Sequence, residues 1–176
     1  MKNFQVFFLI LTIMANPSFT QAQNGKASTL KKTFSRETAV SIEIKADPAI
    51  VWSLLTNGSD ITRWNSTITF FEGDIEEGNK IKLKSVVDEK RTFKLKVKEM
   101  IPEQKMLWSD GAAPFFKGVR KYTLRKTADG CIFEMREKIG GLMFPMAAGS
   151  IPPFDASFEQ FAADLKKEAE EIERGK

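Results

Sequence analysis

Arg120, Tyr122 and Glu137 are the residues of this chain whose types and spacing best suit chemistry. They lie on two arms that meet at Asp129-Gly130, a dipeptide favoured in tight hairpin turns. With Asp129 and Gly130 as the two turn residues, Leu124 faces Met135 and Tyr122 faces Glu137. Side chains alternate between faces along a strand, so Arg120, Tyr122, Leu124, Phe133, Met135 and Glu137 share one face. Leu124, Phe133 and Met135 mark it as the inner face, which aims the three polar groups toward the interior near one end of the sheet. A guanidinium there could bind the acidic head of a ligand. A carboxylate beside a phenol could serve as a general base with an orienting or donating partner, which makes Glu137 and Tyr122 the catalytic candidates. The plainer alternative is a structural Arg–Glu pair at a frayed sheet end, half in water and worth little.

The composition narrows the chemistry further. The chain of 176 residues has no His, which removes the commonest general base and metal ligand at neutral pH. A single cysteine, Cys131, permits neither an internal disulfide nor a cysteine-rich zinc site. There is no glycine-rich phosphate loop, nucleophile elbow or HExxH motif, so neither a metal nor a cofactor is expected. The length fits one domain, and the net charge of +4 leans slightly toward anionic partners.

The elements that must position these residues follow from periodicity. Val40, Ile42 and Ile44 alternate with polar residues in a half-buried strand over 38–46. Asp47-Pro48 starts a short helix with an apolar stripe of Ile50, Val51, Leu54 and Leu55, and Asn57-Gly58 ends it. A second short helix carries Ile61 and Trp64. Six strands are expected next: 66–72, 80–87, 91–100, 105–109, 119–127 and 131–139, with a turn at Asp88-Glu89-Lys90. A Gly-, Pro- and Met-rich loop covers 140–153. The final helix, about 154–172, sets Phe154, Phe158, Phe161 and Leu165 on one face. This order, β-α-α-β6-α, is an α+β pattern in which a strongly bent antiparallel sheet wraps the long C-terminal helix and the short helices close one end.

Such a roll leaves a hollow between sheet and helix. Phe158, Phe161 and Leu165 would form one wall, with Phe93, Trp108, Phe133 and Met135 opposite and Trp64 nearby. Large apolar side chains usually mean core. Loops are normally polar, however, so Phe115 and Phe116 after Pro114, and Met143, Phe144 and Met146 around Pro145, read either as the mouth of a cavity or as plugs for its open end.

Lys80, Lys82 and Lys84 on one strand and Lys94, Lys96 and Lys98 on the next point away from the core. A three-residue turn would set them opposite one another in like-charge pairs, which are destabilising. They read as a solvated, aggregation-resistant face or as a peripheral contact with an anionic membrane surface. No aromatics interleave with them, so nucleic acid is not expected as a partner. At the N-terminus, Lys2, the apolar run from Val6 to Ala15 and Thr20-Gln21-Ala22 have the form of a signal peptide over 1–22. Export to a periplasmic or extracellular space is the expectation, with residues 23–37 as a polar linker and the domain proper at 38–174.

Several of these segments together resemble the START-like superfamily, also called SRPBCC or Bet v 1-like proteins, and within it the polyketide cyclase/dehydrase and lipid-transport group. They are SIEIKADPAIVWSLLTN, Trp64 ahead of the next strand, EEGNKIKLK, the late hairpin and FDASFEQFAADLKKEAEEI. The resemblance covers 38–174. It implies a helix-grip fold with an elongated apolar cavity that holds a hydrophobic or amphipathic small molecule, lipid-like or polyketide-like. It also leaves open a cofactor-free cyclase, dehydratase or isomerase, and an interaction module whose cavity is filled by its own side chains.

Overall fold

A computed structural model describes residues 25–176. The expected signal peptide over 1–22 lies outside the described residues.

The first departure from expectation is at the N-terminus. The polar stretch read as a linker contains strand β1 (Ala27–Lys32), which forms a hairpin with β2 (Ser35–Ile44). An edge strand needs one apolar face at most, and here only Ala27 and Thr29 are half-buried, so hydropathy alone does not reveal it. Polar contacts hold it instead. Thr38 donates to Thr29 Oγ1 at 2.8 Å, and the Thr29 hydroxyl donates to Asp155 Oδ1 at 2.8 Å.

Helix α1 (Pro48–Thr56) starts as expected: Asp47 Oδ1 accepts from the Ala49 N–H at 2.8 Å, and Pro48 occupies the first turn. Helix α2 (Ile61–Trp64) follows, and then six strands: β3 (Ile68–Glu72), β4 (Lys80–Ser85), β5 (Asp88–Ile101), β6 (Lys105–Ala112), β7 (Phe116–Thr127) and β8 (Gly130–Gly140). All neighbours pair antiparallel in one eight-stranded sheet of order β1-β2-β8-β7-β6-β5-β4-β3. The expected loop after β8 contains a short helix, α3 (Phe144–Ala147), and a single turn at Ala148–Ser150. Helix α4 (Asp155–Arg174) packs across the concave face, burying Phe158, Phe161, Ala162, Leu165 and Ala169 at helical spacing.

Two hairpins turn elsewhere than expected. Between β7 and β8 the loop residues are Ala128 and Asp129, and Thr127 pairs with Gly130. Gly130 belongs to the strand because its backbone, at φ +149°, runs against β2. A Cβ there would meet Ile44 O at 2.2 Å. Arg120 therefore faces Glu137, Tyr122 faces Met135 and Leu124 faces Phe133. This is a shift of two residues, so every side chain keeps its expected face. Between β4 and β5 the turn is Val86-Val87, and Lys80 faces Lys96 while Lys82 faces Lys94. An irregularity between Leu83 and Ser85 absorbs the difference, which leaves Lys84 beside Phe70 and Lys98 beside Leu107.

The closed half of the roll is solid. Trp108 meets Tyr122 edge-on at 4.9 Å between ring centroids, Phe133 stacks on Phe161 at 6.1 Å, and Trp64 meets Phe161 edge-on at 5.7 Å. Tyr122, Phe133 and Phe161 are each at most 1% exposed. Such pairs add about 0.5–1.5 kcal/mol beyond the area they bury.

Candidate functional site

The hollow that remains lies toward the other end, where β2, β7 and β5 begin and β4, β6 and β8 finish. It is a cavity of about 100 Å³. Leu83, Phe93, Leu95 and Phe116 supply apolar wall from the sheet, Trp108 separates it from the aromatic cluster, and Ile151 and Phe154 close it from the loop before α4.

The polar part is built on β7 and β8. Arg120 and Glu137 are direct cross-strand partners on the concave face. Arg120 Nε donates to Glu137 Oε2 at 2.7 Å, and Nη2 donates to the same oxygen. Convergence on one oxygen leaves Glu137 Oε1 without a hydrogen bond among the described residues, while the Arg120 guanidinium also acts on the Tyr122 hydroxyl, and both Arg120 and Glu137 line the cavity. Burial alone would lower the Arg120 pKa, but Glu137 and Tyr122 together outweigh it and hold the guanidinium above its ordinary value. Tyr122, two residues along β7, has a buried hydroxyl that makes no well-aligned hydrogen bond among the described residues, although the Arg120 guanidinium is near enough to act on it. Burial pushes its pKa up to about 12 against the opposing pull of Arg120, so the phenol stays protonated.

A second pair sits on the neighbouring strands. Asp110 accepts from the Gly118 N–H at 3.1 Å, and Arg91 lies 3.9 Å from its other oxygen with the guanidinium 4.7 Å above the Phe93 ring. With Asp88, the cavity lining holds three carboxylates and two guanidiniums.

Arg36, in β2, fastens the closing loop. It is 8% exposed and donates to Ile151 O at 3.0 Å and Pro152 O at 2.7 Å. Its guanidinium lies 4.6 Å above the Phe154 ring, Phe154 stacks on Phe158 at 5.9 Å, and Arg120 lies 5.1 Å above Phe158. Cation, ring, ring and cation thus form one column from the loop to the polar pair. Burial lowers the Arg36 pKa, while Glu137 and Asp155 oppose that shift.

The candidates named from sequence divide into three groups. Phe93, Trp108, Phe116, Arg120 and Glu137 line the cavity. Trp64, Tyr122, Phe133, Met135, Phe158, Phe161 and Leu165 are buried in the core and do not border it, because the chain's own rings fill the inner half of the roll. Phe115 and Met143 stand at the surface of the open end, and Phe144 is buried beside a separate groove against β1. The expected pairing of Tyr122 with Glu137 is replaced by that of Arg120 with Glu137. Sequence reasoning missed Arg36, Arg91 and Asp110. The alternation of β2, followed back from Val40 through Thr38, reaches Arg36 and could have found it.

A large antiparallel sheet folded around a C-terminal helix, with the residual hollow between them, defines a helix-grip protein. The chain belongs to the polyketide cyclase / dehydrase and lipid transport family, whose model matches residues 35–170. Among solved structures, protein MLL2253 of Mesorhizobium loti is similar at a TM-score of 0.58 and 18% identity, covering 75% of this chain and 95% of that one. The di-domain ARO/CYC StfQ of the steffimycin biosynthetic pathway matches at a TM-score of 0.61 and 8% identity, over 80% of this chain and 52% of that one. DynU16 of the dynemicin biosynthetic locus matches at 0.55 and 16%, over 80% and 48% of the respective chains. At these identities the likeness is one of fold. No curated protein matches the chain significantly.

Proposed function

We propose that the chain binds a compact, neutral, largely apolar molecule carrying a hydroxyl or carbonyl group, a ring compound of polyketide-like character. The observation that carries this reading is the unbonded Glu137 Oε1 beside the Arg120 guanidinium in the lining of an apolar cavity. An open acceptor next to a group with five N–H donors suits a ligand group that can both give and receive a hydrogen bond. An acidic head group suits the site less well. Glu137 already answers the Arg120 charge, and a carboxylate would have to displace it among three acidic side chains. Size limits the ligand to a small one, against a long acyl chain or an extended multi-ring compound: about 100 Å³ is below the ~300–1,000 Å³ of sites for drug-sized ligands.

Naphthol and naphthoate, one ring system with a neutral or an anionic head, test the proposal. Naphthol should quench the fluorescence of Trp108 and bind more tightly than naphthoate. Tighter binding of naphthoate or of a long-chain fatty acid would overturn the neutral-head reading. Export as a periplasmic or secreted protein remains part of the proposal, supported by the pattern of residues 1–22. N-terminal sequencing of the mature chain checks it.

A second reading, a cofactor-free cyclase, dehydratase or isomerase, is favoured by the same open oxygen. A carboxylate fixed through one oxygen and free at the other can accept a proton from a bound substrate, whereas Tyr122, which does not border the cavity, could act on that substrate only through Arg120. Under this reading Glu137→Gln keeps ligand binding and loses turnover. Under simple binding, Glu137→Gln changes affinity alone.

A further inference from the structure

Three loops meet at the open end and are tied to one another through the backbone. The Gly141 N–H donates to Phe34 O at 3.0 Å, Leu142 to Pro114 O at 2.9 Å and Met143 to Phe115 O at 2.9 Å. These bonds hold five large apolar side chains side by side at the surface: Phe34 (55% exposed), Phe115 (59%), Leu142 (62%), Met143 (48%) and Met146 (82%). Apolar residues scattered singly over a surface mean nothing, but a cluster fixed on one tip is a contact site.

Lysines flank the tip on both sides. Lys117 and Lys138 line one shallow groove with Phe34 and Pro114. Lys31 and Lys32 line another with Phe144. None of the four takes part in an ion pair among the described residues. We propose that this tip docks on an anionic lipid bilayer, with its apolar side chains in the acyl–headgroup boundary and the four lysines among the headgroups.

Charge decides between this occupant and a second copy of the chain. Two tips meeting face to face would bring eight uncompensated lysines together, whereas a leaflet rich in anionic lipid attracts each of them. The strand lysines offer a weaker claim to a membrane: Lys82 is paired with Glu72, and their outer face has no comparable apolar cluster. The cavity lies at the same end as the tip, since Phe116 lines it and adjoins Phe115. The docking inference rests on surface residues and stands whether or not the ligand reading does.

The test is co-sedimentation of the full chain with phosphatidylcholine vesicles, with and without phosphatidylglycerol, at low and high salt. Leu142→Ser/Met146→Ser and Lys117→Glu/Lys138→Glu are compared with the parent, so residues 1–24 are common to every sample. The parent should bind the anionic vesicles and release as salt rises. Each double variant should bind at least about tenfold more weakly, since apolar burial and basic charge both contribute at such interfaces. Unchanged thermal midpoint and naphthol affinity in the variants would place the loss at the tip and not in the fold or cavity. Sedimentation equal to the parent's in both variants would overturn the inference. So would a parent that ignores vesicles, including one that forms dimers dispersed by Leu142→Ser/Met146→Ser.

Discussion

The two ends of the roll are built from similar residues to opposite effect. At the closed half, Trp108, Tyr122, Phe133 and Phe161 bury their rings against one another and leave no space. At the open half, Phe93, Phe116 and Phe154 surround a hollow that also contains two Arg–carboxylate pairs, and Phe34 and Phe115 stand in solvent. What distinguishes the ends is the polar pairs. A ring next to another ring closes a gap, whereas a guanidinium and carboxylate, partly buried at Arg120 and Glu137, hold walls apart because each needs room and a partner. The closed half therefore carries stability, and the open half is where the proposed ligand would be recognised.

Substitutions can break that division, and the largest effect belongs to the closed half. Phe161→Ala removes the ring that contacts Trp64, Tyr122 and Phe133, and should cost about 3–5 kcal/mol in chemical denaturation. A loss under 1 kcal/mol would mean that the half is looser than its geometry implies. Glu137→Ala comes next. It strands Arg120 in a mostly buried place and should cost about 2 kcal/mol, while weakening naphthol binding.

Tyr122→Phe sharpens the comparison, since it removes a buried hydroxyl whose contact with Arg120 is poorly aligned. At neutral pH it should be neutral or stabilising by up to about 1 kcal/mol. At high pH the sign is set by ionisation. The folded chain keeps this phenol protonated to about 12, against 10.0 for an ordinary tyrosine, so its contribution is complete below pH 10 and lost as pH rises toward 12. Cys131, buried and raised to about 11, loses its own contribution across pH 9 to 11 in both proteins. The difference between parent and Tyr122→Phe in alkaline denaturation isolates the tyrosine. The smallest effect should come from Glu72→Gln, which breaks an exposed pair with Lys82 and should change stability by less than about 0.5 kcal/mol.

The element order was legible from sequence because β7, β8 and α4 obey their periods closely, and because alternation survives a register shift of two. That is why Arg120, Tyr122, Leu124, Phe133, Met135 and Glu137 lie on the face expected of them although Tyr122 has a different partner. The register itself depended on Gly130, whose requirement comes from Ile44 O on another strand and not from the turn. Strand β1 was hidden because it is held by backbone pairing and by the Thr38–Thr29–Asp155 chain, neither of which leaves a hydropathy pattern. The depth of the cavity was hidden for a similar reason. Whether Phe133 and Phe161 line a hollow or fill it depends on how rings from α4 and two strands stack, and residue type cannot report that.

The column running from Arg36 through Phe154 and Phe158 to Arg120 makes the loop over the cavity behave as a latch. Ile151 and Pro152 cannot lift while their carbonyls hold Arg36, and releasing Arg36 uncovers the face of Phe154. For the proposed ligand, entry would then require one cooperative release instead of a gradual widening. A ligand of the right size would meet a slow, nearly concentration-independent step at saturation, and Arg36→Lys, which cannot reproduce the two-pronged grip, would open the gate without altering the chamber behind it.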